Sequence, residues 1–189
     1  MTHRRTALRA AFVTRLGQNI ATPPATPAYR TAAGARVFSS RLMPVEEPEL
    51  PAIIVHTRDP EEVTARSISG LNGYEQRRCI VTIVCIAQSF DDLDDDLDAM
   101  AAQVEAAIES WEIPGFESAE IEPHTTDSED PEYDGALTTG ATRLRIPVTY
   151  LAPYRDGPDP YTPSSYPGSA TGAACPVQGA TITSNGEEL

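Results

Sequence analysis

The chain has 189 residues and a formal net charge of −14, which allows one domain of common size with tails, or two very small ones. That charge argues against a general nucleic-acid-coating surface, and no run approaches the roughly 20 apolar residues of a membrane span. Seventeen prolines and twelve glycines are too many for a wholly compact chain and predict long loops and an extended tail.

The charge is unevenly spread. All fourteen basic residues are arginine. No acid precedes Glu46, and Arg4, Arg5, Arg9, Arg15, Arg30, Arg36 and Arg41 all lie before it; the remainder sets seven arginines against 28 acids, or −21. Such asymmetry predicts a basic end that meets an acidic partner, or the chain's own acidic body. Three cysteines give no disulfide framework. Cys79 and Cys85 lie six residues apart on one expected strand, roughly 20 Å, too far to bridge. They read as small core hydrophobes in a reducing compartment, and Cys175 reads as a free thiol in the tail.

The first expected element is a helix from about Thr2 to Gly17, with Leu8, Ala11, Phe12 and Leu16 on one stripe, Thr2 as a cap and Gly17 as a stop. The Arg-Arg start lacks an apolar signal core, so no secretory or twin-arginine signal is expected. A proline-bounded linker follows, then a short edge strand at Arg36 to Ser39 and a strong strand at Ala52 to Thr57. The connection from Arg58 to Gln76 is polar and long, with an Asn72-Gly73 turn that would project it from the sheet as an assembly loop.

The stretch RRCIVTIVCIAQSF from Arg77 is the most apolar run, with both faces covered, as in a central strand. It feeds an amphipathic helix whose stripe is Leu93, Leu97, Met100, Val104, Ile108 and Trp111, capped by Ser89 or Asp91. Ser118 to His124 is the next expected strand, and TTDSEDPEYDG a solvated acidic loop. Thr142 to Leu151 alternates, with Leu144, Ile146, Val148 and Tyr150 inward; Pro147 within it argues for an edge position or a bulge. From Ala152 onward the Pro/Gly/Ser/Thr-rich composition predicts an extended arm, in which Tyr154, Tyr161 and Tyr166 provide rigid aromatic contact area. These elements define an α+β fold: a two-layer, mostly antiparallel sheet of about four or five strands with two helices, over residues 1–154, and an arm over 155–189.

The chemistry is sparse. Asp91, Asp92, Asp94, Asp95, Asp96 and Asp98 could hold a metal for an enzyme, but leucines fill the positions where a calcium loop needs ligands and a glycine turn, so an acidic helix start is preferred. His3, His56 and His124 are scattered, with no metal spacing, no nucleophile motif and no phosphate loop. No catalytic residue, metal or cofactor is therefore expected, and the chain is not read as an enzyme. Arg77 and Arg78 with Arg143 and Arg145 are expected either to form a basic ridge or to pair with the acidic helix.

Four segments carry a resemblance: RRTALRAAFVTRL, LPAIIVHT, RRCIVTIVCIAQSFDDLDDDLDAMAAQVEAAI and RLRIPVTYLAPY. Their order resembles that of the tail terminators of long-tailed bacteriophages, typified by the U-type minor tail protein; neck and tail-completion proteins share much of the pattern. The resemblance spans roughly residues 2 to 154. It implies a structural virion protein at the tail or neck, assembled in the host cytoplasm. Such a protein forms a homo-oligomeric ring, usually a hexamer, that caps the tail tube, stops its elongation and joins the head. Its implied partners are other copies of itself, the tail tube protein and the head-tail connector or stopper protein, with DNA only as cargo in the lumen and no membrane. Candidate subunit or tube contacts are Arg4, Arg5, Arg9, Arg66, Asn72, Gly73, Arg77, Arg78, Tyr154, Tyr161 and Tyr166. The alternatives are a neck or head-tail connector protein, a metal-dependent enzyme using the aspartates, or a regulatory module acting through the arm.

Overall fold

The computed structural model describes residues 3–21, 26–41, 43–66, 74–89, 92–116, 118–129, 132–134 and 137–153. In chain order these form α1 (Arg4–Leu16), β1 (Val37–Ser39), β2 (Ala52–His56), β3 (Glu62–Arg66), β4 (Tyr74–Ser89), α2 (Leu93–Ile108), β5 (Glu120–Ile121), β6 (Thr125–Ser128), β7 (Glu132–Asp134) and β8 (Leu137–Pro153). The chain partitions into Met1–Asp156 and Gly157–Leu189, and every described residue belongs to the first unit. Ala152 and Pro153, where the expected arm begins, instead close β8, with Ala152 fully buried; the rest of the arm, with Tyr154, Tyr161, Tyr166 and Cys175, lies outside the described residues, as does the Asn72-Gly73 turn.

The sheet runs β1-β2-β4-β8-β5, with β3 also on β4 and with β6 and β7 on β8. Among the described strands only the β1–β2 pair is parallel; the others are antiparallel. The fold is thus α+β, as the pattern predicts, with eight strands where about four or five were expected. Alternation along β4 puts Cys79, Val81, Ile83 and Cys85 on one face. Across the ladder that face continues with Val148, Ile146, Leu144 and Thr142 of β8, and all eight side chains are fully buried. Both helices cover it: Leu8, Phe12 and Leu16 from α1, and Leu97, Met100, Val104 and Ile108 from α2, join these residues in one cluster. Each fully buried aliphatic side chain there contributes about 1.5–3 kcal/mol. The opposite face of β4 is less apolar in effect, since Ile80 and Ile86 are only half-buried. Cys79 and Cys85 are free and buried.

Several boundaries and partners differ from the sequence reading. α1 is capped by His3, whose Nδ1 accepts the Arg5 N–H at 3.2 Å, while Gly17 ends it by donating to the Val13 carbonyl at 3.0 Å. Ser89 belongs to β4, and Asp92 takes the N-cap position of α2, where its backbone carbonyl accepts the Asp96 N–H at 3.2 Å and its side chain makes no capping bond. Trp111 lies past α2 and packs edge-on against Phe12, ring centroids 5.1 Å apart. Within the expected loop from Arg58 to Gln76, Glu62–Arg66 form β3 and pair with β4, which begins at Tyr74, and the expected acidic loop contains β6 and β7, laid along β8. In contrast, only Glu120–Ile121 of the expected strand from Ser118 to His124 is a strand.

Pro147 sits inside β8, which is a paired, interior strand and not an edge. The Pro147 carbonyl accepts the Glu122 N–H at 2.9 Å, on the side away from β4. In an antiparallel ladder a residue's N–H position faces the same side as its C=O. The missing proline N–H therefore falls between β5 and β6, and the β4 ladder loses nothing.

Close packing of helix on strand is tightest at Gly140, where a β-carbon would lie 2.8 Å from Leu93 Cδ2 and 3.3 Å from Leu97 Cδ1. Gly140→Val should push the first turn of α2 off β8 and destabilise the fold by about 1–3 kcal/mol, read as a lowered denaturation midpoint. An unchanged midpoint would mean that this helix end does not bear on the sheet.

Candidate functional site

The arginines of α1 turn inward. Arg5 Nη2 donates to the carbonyls of Thr57 and, at 2.9 Å, Asp59, just beyond β2. Arg9 reaches Ser39 Oγ at 2.9 Å and Thr57 Oγ1 at 3.1 Å. Arg4 donates to the Gly115 carbonyl at 3.0 Å and lies 5.3 Å above the Phe116 ring. Arg15 donates to the Ala107 carbonyl at 2.7 Å and stacks 5.6 Å above Trp111. These four side chains tie the helix to the exit of β2, to the α2 C-terminus and to the turn after it. The basic N-terminal segment thus meets its own body, chiefly through backbone oxygens and hydroxyls.

Arg77 and Arg78 point to opposite faces of β4. Arg77 enters a nearly dry cluster. It pairs with Glu75 at 2.6 Å and Glu61 at 3.2 Å, and Glu61 also accepts the Tyr150 hydroxyl. Tyr150 is 1% exposed and stacks edge-on with Phe116 at 5.2 Å. Burial, and then the Glu61 carboxylate, push its hydroxyl pKa far up. Arg78 grips Glu122 at 2.8 Å, and the Thr149 hydroxyl donates to the same carboxylate at 2.5 Å. Those two bonds hold Glu122 below the usual carboxylate range. Arg143 pairs with Glu129, and Arg145 with Asp59 at 3.0 Å. The expected basic ridge is therefore a set of ion pairs, and the partners come from β4 itself (Glu75) and from the strand connections, not from the acidic helix. Arg66 lies on β3 opposite Glu75, and its side chain is outside the described residues.

Asp92, Asp94, Asp95, Asp96 and Asp98 are exposed on the first turns of α2. No group of three or more potential metal ligands converges among the described residues. His124 Nε2 lies 2.9 Å from Glu105 Oε1. His56 is half-buried, and its pKa is lowered by burial and by Arg58 and Arg143.

A groove of about 710 Å³ lies between the C-terminal half of α2 and the segment after β5. Ile108, Trp111 and Ile121 form its apolar part, and Glu105, Glu109, Glu122 and His124 its polar part. Trp111 also lines a smaller hollow of about 450 Å³ beside α1. Nothing in the sequence marked this groove, because α2 and β5 supply its two walls from separate segments. The arrangement offers apolar contact and negative charge side by side. No protein-family model matches the chain, and no curated protein matches it.

Two predictions follow from the buried cluster. Arg77→Ala leaves Glu61 and Glu75 as uncompensated, largely desolvated carboxylates and should cost about 3–5 kcal/mol, whereas Tyr150→Phe should cost about 0.5–1.5 kcal/mol; urea denaturation of both variants checks the order. The alkaline limb is set by groups whose folded pKa is raised. Burial pushes the Cys85 thiol to about 12 and also raises Cys79 and Tyr150. Above their unfolded values, roughly 8.5 for thiols and 10 for tyrosine, the unfolded chain loses protons that the folded chain keeps, so stability falls as pH rises. The melting temperature should decline from about pH 9 upward, and Cys85→Val with Tyr150→Phe should flatten that decline.

Proposed function

We propose that the chain is a structural virion protein of a long-tailed phage: a ring-forming tail terminator that caps the tail tube, ends its elongation and joins the tail to the head connector. The observation that carries the reading is the element order around the long β4–β8 pair. A leading helix, a β2 strand, a long strand pair, a crossing helix and a closing strand follow one another as in the resemblance drawn from the sequence. A small two-layer core with extended strand pairs suits a ring component, since the core can hold each copy rigid while its edges and termini make contacts. Its function is carried by surfaces, with no cofactor and no reaction.

Its partners are other copies of itself, the tail tube protein and the head-tail connector, and its place is the tail or neck of the virion, after assembly in the host cytoplasm. DNA passes through the lumen as cargo. An excess of acid on the lumen wall lets it slide, since phosphate neutralisation is what drives binding.

The test is made in the phage that encodes the chain. Antibody against the protein should label purified particles at the head-proximal end of the tail, and particles made without it should carry tails of uncontrolled length lacking heads. Tails of normal length and joined heads in its absence, or its absence from purified particles, would refute the proposal.

A further inference from the structure

The groove beside Trp111 is open because α2 turns small side chains toward the segment after β5. Ala102 and Ala106 lie one helical turn apart on its lining, and both are exposed. α2 ends at Ile108, and Ser110 follows with a left-handed φ of 52°. The Trp111 N–H then donates to the Ile108 carbonyl at 3.2 Å, so the chain folds back at the foot of the helix. The Trp111 ring is fixed there by Phe12 at its edge and Arg15 above it. Ile108, Trp111 and Ile121 thus give the groove a preformed apolar floor.

The rim is acidic. Glu105 and Glu109 are four residues apart on α2, about 6 Å along the axis, and both line the groove. Glu105 meets His124 across the groove, while Glu109 is exposed and forms no ion pair among the described residues. The far wall's Glu122 is already held by Arg78. Among the described residues no arginine lines the groove. Arg15 reaches the end of α2 from the α1 side, at the Ala107 carbonyl. The partial negative charge of a helix C-terminus adds to that of the glutamates. β5 supplies main-chain groups as well. It is a terminal strand, and the Glu122 N–H beside it donates to the Pro147 carbonyl of β8. Successive residues of a strand direct their backbone groups to opposite sides. The Ile121 N–H and C=O therefore point away from β8, at the margin of the groove.

We propose that this groove seats an arginine side chain carried on an extended segment of a different protein. The guanidinium meets Glu109 and Glu105, the stem lies on Ile108, Trp111 and Ile121, and the main chain pairs with Ile121. Arginine suits the site because its stem buries on apolar surface while its head stays at a polar rim, and its planar fork can serve two carboxylates. Backbone pairing at a strand edge supplies affinity, and the side-chain pocket supplies selectivity. A second copy of this chain is a poor occupant. Its α1 arginines donate inward, and Arg41, Arg77, Arg78, Arg143 and Arg145 are ion-paired within the subunit. The site stands apart from the terminator reading and does not rest on it.

Trp111 is the chain's single tryptophan, so its fluorescence reports on this groove. The probe is a blocked hexapeptide alternating leucine and arginine; the control alternates leucine and glutamate. Titrating the full chain with the probe should give saturable heat in calorimetry and a saturable change in Trp111 emission, both weaker as salt screens the charges. Glu109→Gln should weaken binding roughly tenfold. Ala106→Leu, which fills the groove from an exposed helix position, should abolish it. Melting temperatures verify folding, and Glu109→Gln alone decides if the leucine variant does not fold. No saturable signal, heat without an emission change, an equal response to the glutamate peptide, or undiminished binding by the folded variants overturns the proposal. So does an emission change that follows the protein's own concentration without peptide, which would place a second copy in the groove.

Discussion

Everything in this chain depends on the pairing of β4 with β8, which runs unbroken from Tyr74 opposite Pro153 to Ser89 opposite Thr138. The two strands are far apart in sequence, and joining them closes a long loop that contains α2 and three short strands. The entropy of that closure grows only slowly with loop length. The apolar ladder of Val81, Ile83, Ile146 and Leu144 supplies the burial that offsets it. Once the pair exists, α2 is fixed above it, β2 and β3 add on the β4 side, and β5, β6 and β7 add on the β8 side.

Arginine is the second organising feature. Arg4, Arg5, Arg9 and Arg15 anchor α1 by donating to carbonyls and hydroxyls. The planar guanidinium, with five donors, is suited to gathering several backbone oxygens at once. Arg77 draws β2's exit, β4 and, through Glu61, Tyr150 of β8 into one buried cluster. Much of the positive charge is thereby consumed inside the subunit.

The core was legible because its signal is local. Leu8, Phe12 and Leu16 repeat at helical spacing, Leu144 to Tyr150 alternate, and all of them are buried as that spacing requires. The polar strands were not legible. EVTAR, TTDS and EYD carry no apolar stripe; they are strands because the backbone edges of β4 and β8 accept them, and such pairing leaves no trace in local composition. Pro147 misled for the same reason, since its tolerance depends on where β5 stops and β6 starts. The arginines' partners were invisible because the backbone carbonyls of Thr57, Asp59, Ala107 and Gly115 have no side-chain signature. The groove at Trp111 joins two segments that only the fold brings together. Residues 72, 73, 154, 161 and 166, which the sequence offers as contacts, lie outside the described residues.

Under the proposed function the chain acts through what it assembles into, so its assembled mass is the most direct observable. Native mass spectrometry of the purified chain across a range of concentration measures it. The account predicts one closed species of fixed subunit number in exchange with the monomer, with few intermediates, as a ring requires. A monomer at every concentration, or an open ladder of species without a preferred size, would contradict it.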